Sequence, residues 1–291
     1  MNHRFELAEG RAVELKLEDC LQGLAGMEPG SVDVVVTSPP YNIGARYTRY
    51  RDDIPRQEYL DWSGTWIAAV ARVLSPKGSL FLNLGGIPSD PWIPLDVAAR
   101  AREHLQLQNV IHWIKSIAIS AEDMGRYPGR PDGLAVGHYK PINSPRYVND
   151  AHEYIFHLTP GGDTPLDRLA IGVPYTDKSN VARWKAAGKD RRCRGNTWFL
   201  PYRTIKSRDR DRPHPATFPK DLPERCLKLH GLERVRMALD PFVGLGSTAI
   251  ACAGLGLPFI GYEIDEQYLE QAAARVEACL AGPLQPELTT R

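Results

Sequence analysis

The residues with the clearest chemical content are Thr37-Ser38-Pro39-Pro40-Tyr41-Asn42. They follow Ser31-Val32-Asp33-Val34-Val35-Val36, a β-branched run that predicts a buried strand feeding a tight loop. Two consecutive prolines remove two backbone donors and fix φ, so no regular element continues through them. The loop therefore holds a hydroxyl, two bare carbonyls and an aromatic ring at the carboxyl edge of a strand, the edge where open α/β sheets bind ligands. Preorganised acceptors there can polarise a donor group of a bound substrate. Taken alone, the stretch is better read as a strand exit with a packing tyrosine, so a second signal has to decide.

That signal lies near the other end of the chain. A predicted strand, Arg234 to Leu239, runs into Asp240-Pro241-Phe242-Val243-Gly244-Leu245-Gly246. Gly244-x-Gly246-x-x-Ala249 fits a strand-to-helix turn whose missing side chains admit a nucleotide-like ligand, with Ser247 opening the helix. Pro258 to Tyr262 predicts the next strand. Glu263 ends it, 19 residues beyond Gly244, a spacing that suits an acid accepting hydrogen bonds from ribose hydroxyls. The same spacing also fits an NAD site.

Thr37 to Asn42 resembles the catalytic motif of the amino-methylating DNA methyltransferases, in which Asp, Asn or Ser precedes Pro-Pro-Tyr. Asp240-Pro241-Phe242 ahead of the glycines resembles the S-adenosyl-L-methionine loop of the same enzymes. The order of catalytic loop, basic region and cofactor loop is the permuted arrangement of their β class, and the resemblance spans residues 12 to 280. It implies an α/β fold: a mostly parallel Rossmann-like methyltransferase sheet with helices on both faces and an inserted loop-rich target-recognition region. Residues 1–158 would form the catalytic half, 159–213 the basic recognition region and 214–291 the cofactor-binding half.

The resemblance also assigns roles. Ser38 and the Pro39 carbonyl would accept hydrogens from an exocyclic amine and localise its lone pair, on a turn that Pro40 holds. The Tyr41 ring would stack on a base flipped from the duplex. Asp19 resembles the strand-end acid that contacts the cofactor's adenine, although an acid there is also a common helix cap. Thr37 belongs to the same cleft, and Ala216-Thr217-Phe218 resembles the run lining the methionine end. Asp240 would face the cofactor's ammonium group, with Phe242, Gly244, Gly246, Ser247 and Glu263 completing the site. The reaction implied is in-line attack of the target amine on the cofactor methyl. Serine at position 38, in place of aspartate, leans towards cytosine N4, with adenine N6 the alternative. Double-stranded DNA is the implied substrate, and the class leaves open a cognate restriction endonuclease and a homodimer. A DNA-binding protein of this fold that lost catalysis, or an NAD-dependent oxidoreductase, would use only part of these motifs.

Composition narrows the choice. At 291 residues and 43% hydrophobic content the chain can bury a large core, and it has no apolar run long enough to cross a membrane. The expectation is a soluble, cytoplasmic protein associated with the nucleoid through DNA. Five scattered cysteines form no C-x-x-C pair, and no Pro-Cys dipeptide supplies the nucleophile of carbon-5 cytosine methylation. Eight histidines show no ligand spacing, so no metal site is predicted. The net charge of +1 hides an asymmetry: residues 178–212 hold twelve Lys/Arg against three Asp, leaving the remainder at −8. Such a block reads either as a polyanion footprint or as a solvated loop. The candidate DNA contacts are Arg46, Arg49, Arg183, Lys185, Lys189, Arg191, Arg192, Arg194, Lys206 and Arg208.

The elements that must position these groups follow the hydrophobic pattern. Strands are expected at Arg11–Leu17, Ser79–Leu84, Asn109–Lys115 and Glu153–Leu158, and helices at Gln57–Leu74, Leu95–His104, Asp221–His230 and Asp265–Leu280. Residues 116–150 are expected as long loops, with no α/β rhythm over 159–213.

Overall fold

The computed structural model describes residues 2–45, 47, 49–124, 133–137, 144–183, 190–201 and 218–282, with the backbone alone at 182 and 183. The first half contains strands β1 (Asn2–Glu6), β2 (Ala12–Leu17), β3 (Val32–Thr37), β4 (Leu74–Leu84), β5 (Gln106–Ile114) and β6 (Ile117–Ile119). The second contains β7 (Leu134–Val136), β8 (His152–Thr159), β9 (Thr197–Phe199), β10 (Ala238–Asp240) and β11 (Phe259–Glu263). The helices are α1 (Cys20–Ala25), α2 (Arg56–Val73), α3 (Ile93–Ala101), α4 (Ala121–Met124), α5 (Ser179–Arg183), α6 (Asp221–His230), α7 (Ser247–Leu255) and α8 (Glu266–Ala281). No helix among the described residues is long and apolar enough to cross a membrane.

Nine strands form one sheet in the order β1-β2-β11-β10-β3-β4-β8-β5-β9. From β2 through β4 all neighbours are parallel, whereas β8 is antiparallel to both β4 and β5. All six residues of β3 are buried, as expected of a parallel strand covered on both faces. Helices α6, α7 and α8 cover one face through Leu222, Cys226, Ala249, Leu269 and Val276. Helices α1, α2 and α3 cover the other through Leu24, Trp66, Ile67, Val70 and Val97. This topology sets the carboxyl ends of β2, β11, β10 and β3 side by side, near Leu17, Glu263, Asp240 and Thr37.

The structure departs from the pattern where tertiary contacts override it. The strand expected from Arg234 pairs only over Ala238–Asp240, because residues 232–234 make a 3-10 turn and Asp33 takes the Arg236 backbone N–H and guanidinium. Within 116–150, β6 and β7 form a small hairpin. Strand β9 joins the described part of residues 159–213 to the sheet, pairing parallel to β5 with Trp198 fully buried. Three residues are too few to show a strand period.

Buried polar groups tie β4 and β8 to α6. With the Asn109 amide donating to His157 Nδ1 (2.9 Å), His157 Nε2–H donates to Ser79 Oγ (3.0 Å), which donates to His230 Nδ1 (2.9 Å). Burial is the main cause that lowers His157 to about 3 and His230 to about 4. Both are neutral in the folded and unfolded chain above the ordinary histidine value of about 6.5. Below it the unfolded chain takes up two protons that the folded chain refuses until about pH 4, so stability falls with pH in that window. The loss expected is on the order of 1 kcal/mol per histidine per pH unit. The urea midpoint should drop between pH 7 and pH 5, and His157→Phe should reduce that slope; equal slopes would assign the effect to other groups.

Candidate active site

The strand ends open onto a cavity of about 210 Å³. Its wall takes Asp19, Ser38, Pro40, Arg49, Phe218, Phe242, Gly244, Ser247 and Glu263 from the residues expected in the sequence. It adds Glu18, Trp62, Ile264, Asp265 and Tyr268, which no local motif marks, together with Tyr47 and Tyr50. Asp19 also caps α1, its carboxylate accepting the Leu21 N–H at 2.9 Å. Glu263 accepts the backbone N–H groups of Gly244 (2.8 Å), Ile264 (3.0 Å) and Asp265 (2.9 Å). Burial raises its pKa and those N–H groups oppose the shift. Ser247 donates to the Phe218 carbonyl at 2.8 Å, joining the approach to α6 to the start of α7.

Several expected site residues stand off the wall. Asp240 does not line the cavity and is 1% exposed. Its carboxylate accepts Thr37 Oγ1–H (2.7 Å), the Phe242 N–H (3.0 Å) and Thr248 Oγ1–H (2.8 Å), so it ties the end of β10 to the end of β3 and the start of α7. Burial pushes it up to about 7 against those donors. Thr37 is fully buried in the same knot. Gly246 also stands off the wall; its φ of 78° starts α7, and a Cβ there would meet Ala272 of α8 at 2.9 Å. Pro39 is buried, and the Pro40 carbonyl accepts the Tyr59 hydroxyl at 2.8 Å. Tyr41 is 7% exposed and off the wall, so its ring offers no open stacking face.

The hydroxyl of Tyr41 is instead the centre of a polar network. Ser38 Oγ lies 2.7 Å from it, Asn83 Nδ2 donates to it at 2.7 Å, and Glu153 Oε2 accepts from it at 3.1 Å. Asn83 Nδ2 also donates to Glu153 Oε2 at 2.7 Å, and Lys115 Nζ donates to Glu153 Oε1 at 2.5 Å. Asn83 and Lys115 lack a local signature because β4, β5 and β8 meet only in the folded sheet.

The chain after Tyr41 is held by Asp52, 3% exposed, which accepts the backbone N–H groups of Asn42 (2.8 Å), Ile43 (3.1 Å) and Ala45 (2.9 Å). Asn42 exchanges side-chain hydrogen bonds with both backbone groups of Ile54 at 2.9 Å. This closed loop brings Tyr47, Arg49 and Tyr50 to the cavity, where Tyr50 and Phe242 each lie 5.6 Å from the Trp62 ring. Tyr47, Tyr50, Trp62 and Phe242 line the cavity where Tyr41 does not.

Arg191, Arg192 and Arg194 stand away from the cavity. The Arg191 guanidinium donates to the Leu169 and Ala170 carbonyls and that of Arg194 to Ile171, stitching two segments together. Arg46, Lys185, Lys189, Lys206, Arg208, Ala216 and Thr217, and the side chain of Arg183, lie outside the described residues.

Among the described residues the wall holds four acids, Glu18, Asp19, Glu263 and Asp265, against the single cation Arg49. That balance suits a nucleoside carrying positive charge and opposes the pyrophosphate of a dinucleotide. Asp265 Oδ2 is buried without a hydrogen-bond partner, an acceptor placed for a ligand donor.

A family model described as DNA methylase matches residues 32–274. The chain is 30% identical over 268 residues to the Type II methyltransferase M.BglII of Bacillus subtilis, covering 87% of this chain and 66% of that protein. It is 31% identical over 270 residues to the Type II methyltransferase M.ScaI of Streptomyces caespitosus, covering 89% and 80%. The structure of the PvuII cytosine-N4-specific DNA methyltransferase shares the fold, with a TM-score of 0.60 at 18% identity over 91% of this chain and 89% of that one.

Proposed function

The chain belongs to the N6/N4 DNA methylase family, and from that premise we propose that it methylates cytosine at N4 in duplex DNA. S-adenosyl-L-methionine is the cofactor of this enzyme class, and the acidic, aromatic wall fits it. When bound, its sulfonium supplies an electrophilic methyl group. Glu263 and Asp19 hold the nucleoside end, and Phe242, Gly244, Ser247 and Phe218 hold the other. Ser38 accepts a hydrogen of the target amine and orients its lone pair towards the methyl carbon. An amine conjugated with its ring is a poor nucleophile, so this positioning and polarisation supply the rate.

The observation that carries the choice of base is Ser38: a neutral side chain lines the cavity at this position, while the network carboxylate, Glu153, stands behind Tyr41. The cytosine-N4 specificity of the PvuII enzyme supports the same reading. Arg49 and the basic residues of 159–213 contact phosphates in this proposal, with that region reading the target. Incubating mixed-sequence duplex DNA with labelled cofactor, then analysing nucleosides by mass spectrometry, should yield N4-methylcytosine. N6-methyladenine would overturn the assigned base, and unlabelled DNA would overturn the activity.

A further inference from the structure

We propose that Ser38, Tyr41 and Glu153 form a proton relay that carries the proton lost by the target amine from the cavity to a carboxylate on β8. The proposal rests on the methyltransferase reading and adds a destination for the proton. Direction follows from counting hydrogens. Asn83 Nδ2 donates to the Tyr41 oxygen at 2.7 Å, so the single Tyr41 proton must point elsewhere. Of the acceptors in reach, Ser38 Oγ (2.7 Å), Glu153 Oε2 (3.1 Å) and the Asn83 carbonyl (3.4 Å), the Glu153 carboxylate only accepts, and the relay assigns the proton to it. The Ser38 proton then points to the Tyr41 oxygen at 2.7 Å, which leaves the Ser38 lone pairs for the substrate amine.

As nitrogen bonds to the methyl carbon the carbon–sulfur bond breaks, its electron pair leaving with sulfur as neutral S-adenosylhomocysteine, and the N–H proton passes to Ser38 Oγ. The Ser38 proton passes to the Tyr41 oxygen, and the Tyr41 proton to Glu153 Oε2. Serine and tyrosine end as they began, the nitrogen ends neutral, and the carboxylate ends protonated. Burial first, and then the Glu153 charge, raise Tyr41 well above its ordinary pKa, so its hydroxyl passes a proton through without resting as tyrosinate. The Glu153 and Lys115 side chains, 15% and 22% exposed, give the pair access to water, where the acquired proton leaves. Because Glu153 acts through Tyr41, it is a positioning residue and proton acceptor that never touches the base.

The titratable groups around Glu153 are Tyr41 from the catalytic loop, Lys115 after β5 and its neighbour His152 on β8, which burial and then His112 hold below the ordinary histidine range. Asn83 of β4 is uncharged. The test is the single-turnover rate against pH, at saturating DNA and cofactor, for the wild type, Glu153→Gln, Tyr41→Phe and Lys115→Met. The wild-type profile should show an acid limb. Glu153→Gln and Tyr41→Phe should be slower by about 100-fold or more, the scale of general-base assistance, and should lack that acid limb. Lys115→Met should keep the limb but displace it, because the partner that contacts the Glu153 carboxylate is gone.

Thermal midpoints and calorimetric affinity for S-adenosylhomocysteine separate relay loss from misfolding. If either relay variant misfolds, the shift of the limb in Lys115→Met decides. Near-wild-type rates with an unchanged acid limb in Glu153→Gln would overturn the relay while methylation stands. Absence of methyl transfer by the wild type would remove the methyltransferase reading and the relay together.

Discussion

A Ser38→Ala variant should transfer methyl groups about 100- to 1,000-fold more slowly in a single turnover, a loss of ~2.7–4 kcal/mol of transition-state stabilisation. The estimate follows from what the substitution removes. Ser38 lines the cavity, and Tyr41 keeps its contacts to Asn83 and Glu153 when the serine hydroxyl is gone. The loop therefore keeps its shape and loses one preorganised acceptor at the reacting centre. Affinity for S-adenosylhomocysteine, measured by calorimetry, should stay within a few-fold of the wild type, since Glu263, Gly244 and the aromatic wall are untouched. A wild-type rate in this variant would remove Ser38 from the reaction.

The second large effect is structural. Gly246→Ala should destabilise the fold and weaken cofactor binding together. The backbone at Gly246 has φ of 78°, where an L-residue costs about 1–2 kcal/mol. Its new Cβ would lie 2.9 Å from Ala272 Cβ and 3.3 Å from Ala272 Cα. Ala272 is fully buried on α8, so relief requires the helix to move, at about 1–3 kcal/mol. Helix α8 begins directly after Glu263, Ile264 and Asp265, so its displacement disturbs the cavity wall. Urea unfolding should show a midpoint well below the wild type, and calorimetry a lower affinity for S-adenosylhomocysteine. An unchanged midpoint would show that α7 and α8 have slack the structure does not display.

The importance of Gly246 is legible in the sequence, but its reason is not. The G-x-G spacing marks a turn where side chains are missing, and the ligand is the obvious beneficiary. In the fold the second glycine makes room for a helix more than twenty residues further on. Asp240 shows the same displacement of role: its place before the glycines is local information, whereas its partners Thr37 and Thr248 arrive from β3 and α7.

Backbone-level features were readable from residues alone. The Pro-Pro stop, the β-branched run of β3, the full extent of α6 and the alternation of strands with helices all depend on neighbours in sequence, and they sufficed for the fold class and the order of motifs. The short strand β9 escaped because three residues carry no period, and only its parallel pairing with β5 and the burial of Trp198 define it. What tertiary structure alone decided is the work of the buried polar groups. Tyr41 reads as a stacking ring beside two prolines, but its hydroxyl meets Asn83 and Glu153, 42 and 112 residues away, and that network turns the ring inward. A buried donor must find its acceptor wherever the chain brings one, so such partnerships follow the meeting of strands in the sheet and leave no periodic trace in the sequence.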